Sequence, residues 1–230
     1  MNKERSIIAI LVVMLVALGG VFLARTTNKT DVTKVDVTAP VVASVATVNG
    51  VAIPKTVFEA QLASAITTLK SQGVDVADPA KLSQLKTQVL GDLINNELVA
   101  QGITKAGVAT SPADIEKQFQ AILTQVGGAD KLKTQLTAAN LTEEQLRANI
   151  TRQLTVQAYL LQNINTKSIT VSDAEIAKVY ADGIKGQKNV PKLKEVSAQI
   201  KQQLTTSKEQ ALVATFLTSL RQQAKITTSI

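Results

Sequence analysis

From Lys55 onward apolar residues recur at steps of three and four, and every later proline stands at the start of such a run. Pro79 precedes AKLSQLKTQVLGDLINNELVAQ, Pro112 precedes ADIEKQFQAILTQV, and Pro191 precedes KLKEVSAQIKQQL. A step of three to four with proline confined to the first turn is the pattern of amphipathic helices, because proline lacks the N–H that the helix interior needs. The packing side chains are restricted as well. With 4 Phe, 2 Tyr and no Trp, an interior must close on Leu, Ile, Val and Ala, which favours helix against helix over a β-sandwich.

The punctuation fills in the map. SVATVNGVAIP, residues 44–54, places Asn49-Gly50 between two short β-branched runs, a strong local signal for a hairpin. A helix is predicted from Lys55 to about Ser71 with Phe58, Leu62, Ala65, Ile66 and Leu69 on one side, ended by Gly73. Asp78-Pro79 predicts a cap and first turn for a helix reaching Lys105, with Gly107 as its stop. Gly91 and Gly102 lie inside that helix, where each costs about 1 kcal/mol against alanine. Ser111-Pro112 starts a third helix carrying Ile115, Phe119, Ile122 and Val126, broken by Gly127-Gly128, and a short helix with Leu132 and Leu136 follows. Thr142-Glu143-Glu144-Gln145 and Ser172-Asp173-Ala174-Glu175 both read as capping boxes. The first opens a helix with Leu146, Ile150, Leu154 and Leu161 on one stripe and Tyr159 beside it, and the second opens a short helix with Ile176, Val179 and Tyr180. Pro191 begins the last helix, with Leu193, Val196, Ile200, Leu204, Leu212, Phe216 and Leu220, and Lys225 to Ile230 can form a brief strand.

The N-terminus has a different character. Residues 6–24, SIIAILVVMLVALGGVFLA, form an uncharged stretch of 19 residues. As a helix this is roughly 28 Å long, matching a hydrocarbon core of roughly 30 Å. Lys3 and Arg5 before it predict a cytoplasmic N-terminus and an extracytoplasmic remainder. A cleaved signal is the alternative, although its apolar region is ordinarily shorter. Residues 1–25 therefore read as an anchor or signal, 26–43 as a Thr-rich linker, and 44–230 as the folded domain.

Several chemistries are excluded. The chain has no Cys and no His, so disulfides, thiolate nucleophiles and imidazole bases or ligands are absent. Of the net charge of +7, the first 29 residues supply +3 (Lys3, Arg5, Arg25 and Lys29 against Glu4), leaving +4 for the rest. With few aromatics for stacking and no recognition motif, no nucleic-acid partner is expected. Glu143-Glu144 sits where a helix dipole favours acids, Ser172 is a cap rather than a nucleophile, and the Asn-x-Thr triplets at 28, 140 and 149 read as chance matches. Lys192, Lys194, Lys201, Lys208 and Arg221 read as a solvated basic face of the last helix, able also to meet acidic clients or anionic lipid headgroups.

The order of these segments resembles the SurA-like chaperone family. VATVNGVAIPKTVFEAQL is similar to that family's opening hairpin and first helix, and QVLGDLINNELVAQGITKAGV to its second helix. SPADIEKQFQAI, LTEEQLRANITRQLTVQAYL, ITVSDAEIAKVYAD and KLKEVSAQIKQQLTTSKEQALVATFLTSLRQQAKI continue in the same order over residues 44–230. The resemblance implies a mainly α, multi-helix SurA N-terminal-like domain, with a small β-hairpin at its start and a long C-terminal helix packing back on it as one compact unit. It also implies binding of unfolded or extended polypeptide outside the cytoplasmic membrane. In isomerase-bearing relatives a parvulin domain follows the short helix at 172–181; here ADGIKGQKNVPK leads directly into the last helix. That departure, with the absence of His, implies binding without catalysis and without a cofactor.

A cradle of this kind needs exposed apolar side chains. The candidates are Phe58, Leu62, Phe119, Leu123, Tyr159, Tyr180 and Phe216, each weighed against ordinary core packing. Two other readings use the same fold: a membrane-tethered scaffold binding one folded partner, and a peptidyl-prolyl isomerase.

Overall fold

The structure, a computed structural model, describes residues 43–185, 187 and 190–229. The apolar run at 6–24 and nearly all of the linker lie outside them. Among the described residues no helix is long and apolar enough to cross a membrane.

The elements run β1 (Ser44–Val48), β2 (Val51–Pro54), α1 (Lys55–Ser71), α2 (Pro79–Ala106), α3 (Pro112–Val126), α4 (Ala129–Ala138), α5 (Glu143–Asn163), a 3-10 turn (Thr166–Ser168), α6 (Asp173–Gly183), α7 (Leu193–Gln223) and β3 (Ile226–Thr228). The chain is mainly helical with a small sheet. Contacts group the described residues into two compact units, one of residues 102–219 and one of residues 43–101 with 220–229. Both α2 and α7 contribute to each, so the single unit implied by the resemblance is here a pair.

The unit containing the N-terminal strands is closed by the C-terminal segment. Its sheet has the order β2-β1-β3, antiparallel throughout. The hairpin turn is as the sequence predicts: Asn49 and Gly50 both have positive φ, 52° and 84°. Asn49 also joins three elements. Its N–H donates to the Lys225 carbonyl, its Oδ1 accepts from the Lys225 N–H, and its Nδ2 donates to Gln101 Oε1, each at 2.8 Å. Val45, Ala46, Val48, Ile53, Phe58, Val89, Leu90, Ile94 and Leu98 form the core, with Leu62, Leu220, Ala224 and Ile226 packed against it. The end of α7 thus packs back on the first strands and helices.

Gly91 acquires a reason in this unit. The Arg221 guanidinium donates to the Gly91 carbonyl and to Asn95 Oδ1, both at 2.7 Å, and a Cβ on Gly91 would lie 3.3 Å from Nη2. Arg221 is therefore not part of a solvated basic face: it is half-buried and tied to α2. Its charge also faces Asp92, whose carboxyl is raised above the ordinary carboxylate value by desolvation, partly offset by Arg221.

Helix stops repeat one device. At Gly73, Gly107, Gly127 and Asn140 the residue turns left-handed, with φ of 76°, 63°, 88° and 53°. In each case its N–H and the next one fold back on the last turn, as in Val74 N–H to the Leu69 carbonyl and Leu141 N–H to the Leu136 carbonyl. Asn140 thus has a structural role that its Asn-x-Thr triplet concealed.

Three further expectations are corrected. Pro191 does not begin the last helix: α7 starts at Leu193, and Glu195 accepts from the Lys192 N–H as its cap. Leu161 is not on the buried stripe of α5; it is 37% exposed while Leu160 is 1%. On α7 the buried positions are Ile200, Glu209 and Val213, so an acid and an unforeseen valine replace Leu204 and Leu212 as the covered residues.

Candidate functional site

The unit of residues 102–219 is built from short, well-capped helices. Ser111 accepts from the Asp114 N–H to start α3, and Thr142 and Gln145 form the reciprocal box that starts α5. Phe119, Leu132 and Ile150, one from each of α3, α4 and α5, make a small core with Leu123, Ile122, Leu146 and Leu154 packed on it. Arg147 lies on this core. Its guanidinium carbon is 3.8 Å from the Phe119 ring centre, its Nη1 is 2.7 Å from Glu116 Oε2, and its Nε is 2.8 Å from Glu143 Oε1. Hydrogen bonds from Gln120, then Arg147, hold the Glu116 carboxyl below its ordinary value, and the bonds that Arg147 makes to Glu116, then Glu143, raise the guanidinium above its own.

Two aromatic residues meet on α5 and α7. The Tyr159 and Phe216 rings are 5.8 Å apart and inclined at 56°. The Tyr159 hydroxyl comes so close to Gly102 that a Cβ at that position would overlap it. Gly102, unexplained by the sequence, is the gap into which the phenol fits. Desolvation raises the Tyr159 phenol above its ordinary value.

The start of α6 is fastened to α7. Lys208 Nζ donates to the Thr170 carbonyl and lies 2.6 Å from Glu175 Oε1. Glu175 also accepts from the Ser172 N–H and hydroxyl. Lys208 first, then the Ser172 contacts, lower the Glu175 carboxyl to about 2. Lys208 therefore leaves the proposed solvated face as well. Tyr180, on α6, donates its hydroxyl to the Pro191 carbonyl at 2.8 Å.

The seven candidate side chains are placed in small groups. Phe58 is buried with Leu62 half-buried beside the same core, Phe119 is buried with Leu123 half-buried beside its core, and Tyr159 is buried against half-buried Phe216. Tyr180 is half-buried at its Pro191 contact. Phe58, Phe119 and Tyr159, at 4–5% exposure, hold cores together. Leu62, Leu123, Tyr180 and Phe216 keep surface to offer.

A family model described as the SurA-like N-terminal domain matches residues 1–159. The chain belongs to this SurA-like family. No curated protein matches it. The SurA-like N-terminal domain is a chaperone-type module and is not catalytic in itself. Among the described residues no group of three or more acids is placed to hold a metal ion.

A feature the sequence reading missed is the amide row of α7. Gln199, Gln202, Gln203, Thr206, Ser207 and Gln210 line one shallow, open groove. Their spacing of three and four was visible, but polar periodicity carries no burial signal, so only the folded helix shows it as a surface. Uncharged amides and hydroxyls can donate to and accept from peptide groups without selecting a side chain.

Proposed function

We propose that this SurA-like protein is a membrane-anchored, extracytoplasmic holdase that binds unfolded secreted or membrane polypeptides without catalysis. The observation that carries the reading is the half-covered state of α7. Of its 31 residues only Ile200, Glu209 and Val213 are buried, while Leu193, Val196, Leu204, Leu212, Phe216 and Leu217 keep part of their apolar surface. A helix needing such residues only for packing covers them; one that must engage many clients weakly leaves them accessible. The neutral amide row on the same helix suits contact with peptide backbone. The uncharged run at 6–24 supplies the anchor, with Lys3 and Arg5 keeping the N-terminus inside. Only nine residues, 184–192, lie between α6 and α7, which is too few for a catalytic domain.

The full chain in phospholipid nanodiscs, mixed at stoichiometric ratio with a chemically unfolded client, is expected to slow the rise of light scattering. Phe216→Ser and Leu123→Ser are expected to weaken that protection at unchanged helical content. No protection with any client would refute the reading, and in-cell crosslinking to one dominant folded partner would replace it with the scaffold.

A further inference from the structure

The two outer edges of the small sheet are not equivalent. Asn49 N–H donates to the Lys225 carbonyl, and Ser229 N–H donates to the Val45 carbonyl. Thr47 pairs with Thr227 between these two positions. In an antiparallel ladder the bonded pairs alternate, so residues 227 and 229 turn their backbone groups to β1 and residue 225 turns its own to Asn49. Ile226 and Thr228 therefore turn both N–H and C=O to the opposite edge. Among the described residues β3 has β1 as its one neighbour, and Thr227, Thr228 and Ser229 are exposed.

The other edge offers one outward N–H where β3 offers two. On β2, Val51 and Ile53 face β1, which leaves Ala52 and Pro54 pointing outward. Pro54 has no N–H, and the β1–β2 register is irregular between Ser44 and Ala46. Proline and irregular pairing are ordinary protections of an edge strand, as are lysines within it. β3, with sequence Ile-Thr-Thr, has none of these.

We infer that the outer edge of β3 takes up an extended segment of client polypeptide as an added strand, bonded through the backbone of Ile226 and Thr228. This rests on the holdase reading and supplies its recognition chemistry. Strand addition uses main-chain bonds common to every client, which suits a binder without strict sequence preference. Residues rich in β-branched side chains suit the position beside Thr227, whose hydroxyl is already paired with that of Thr47 at 2.7 Å. A second copy of the chain is disfavoured as the occupant, because residues 30–230 of each copy carry a net charge of +4.

The test uses the full chain in nanodiscs and a short fluorescent peptide of alternating Val and Thr, read by anisotropy. Three forms are compared: unmethylated, N-methylated on alternate residues so that one edge stays free, and N-methylated on both edges. The first two are expected to bind similarly and the third at least about tenfold more weakly, since it loses its backbone donors. Thr228→Pro, which removes an outward N–H and leaves the bonds to β1, is expected to weaken the unmethylated peptide by about the same factor. Equal binding of all three peptides overturns the inference while leaving the holdase reading intact, and it does so without depending on how the variant folds. A chain that neither binds the peptide nor slows client aggregation removes both. A dimer that Thr228→Pro dissolves and the peptide cannot displace assigns the edge to a second copy, and overturns the proposal.

Discussion

The phenol of Tyr159, on α5, is seated against the backbone of Gly102, on α2, in the space a β-carbon would occupy. The ring is buried and packed on Phe216, so it cannot swing aside freely. Gly102→Ala gains helix propensity of about 1 kcal/mol but forces this contact apart, an overpacking cost of about 1–3 kcal/mol. The expected result is a lower midpoint in urea. Tyr159→Phe, which removes the colliding oxygen, should restore part of the loss when combined with Gly102→Ala. A double-mutant cycle with no coupling between the two positions would show that the contact carries no energy.

Arg221 forms a two-pronged link to Gly91 and Asn95 in a half-buried setting. Arg221→Ala should cost about 1.5–3 kcal/mol, the range for hydrogen bonds to a charged group. Arg221→Lys should recover little of it, because an ammonium cannot reach both acceptors in the geometry of a planar fork. Chemical denaturation of the three proteins decides this. Full recovery by lysine would mean that charge alone matters there.

Glu175 makes a pH prediction with a defined sign. Its carboxyl lies at about 2 in the folded chain against an ordinary 4.5. A depressed acid contributes stability that is present above the unfolded value and lost as pH falls toward the folded one. Wild type should therefore exceed Glu175→Gln in Tm above about pH 5, with the gap closing between pH 4.5 and 2. Glutamine keeps an oxygen for the Ser172 N–H, so the comparison isolates the charge facing Lys208. A gap that persists unchanged at pH 2 would assign the effect to packing.

Asp92 behaves oppositely. Desolvation raises its carboxyl in the folded chain, with Arg221 pulling it partly back, so ionisation opposes folding once the pH exceeds both folded and unfolded values. Asp92→Asn should raise Tm modestly at neutral pH, and the advantage should vanish below the ordinary carboxylate value of 3.8. A lower Tm at neutral pH would show that the attraction to Arg221 outweighs desolvation.

The left-handed turn at Asn140 allows a local test. Asn140→Gly should be neutral or slightly stabilising, whereas Asn140→Val should cost about 1–2 kcal/mol, because a β-branched residue resists positive φ. Thermal melts of the pair suffice, and equal Tm values would show that the turn relaxes without cost.

What the sequence by itself determined is local. The hairpin at Asn49-Gly50, the caps at Asp78, Ser111, Thr142 and Ser172, and the stops at Gly73, Gly107 and Gly127 each depend on a few neighbouring residues and the φ or hydrogen bond they permit. Their order was enough to indicate the SurA-like family. What only the tertiary structure decided depends on residues far apart in the chain. Gly102 is explained by Tyr159, Gly91 by Arg221, and the pairing of Lys208 by Glu175. Burial of Leu160 instead of Leu161 follows from which neighbour α5 meets in its last turns, and no helical period records that. The same limit applies to the candidate surface. An apolar residue in a helical stripe looks alike whether it is covered or open, so Phe58 and Phe216 could not be told apart until their partners were in place.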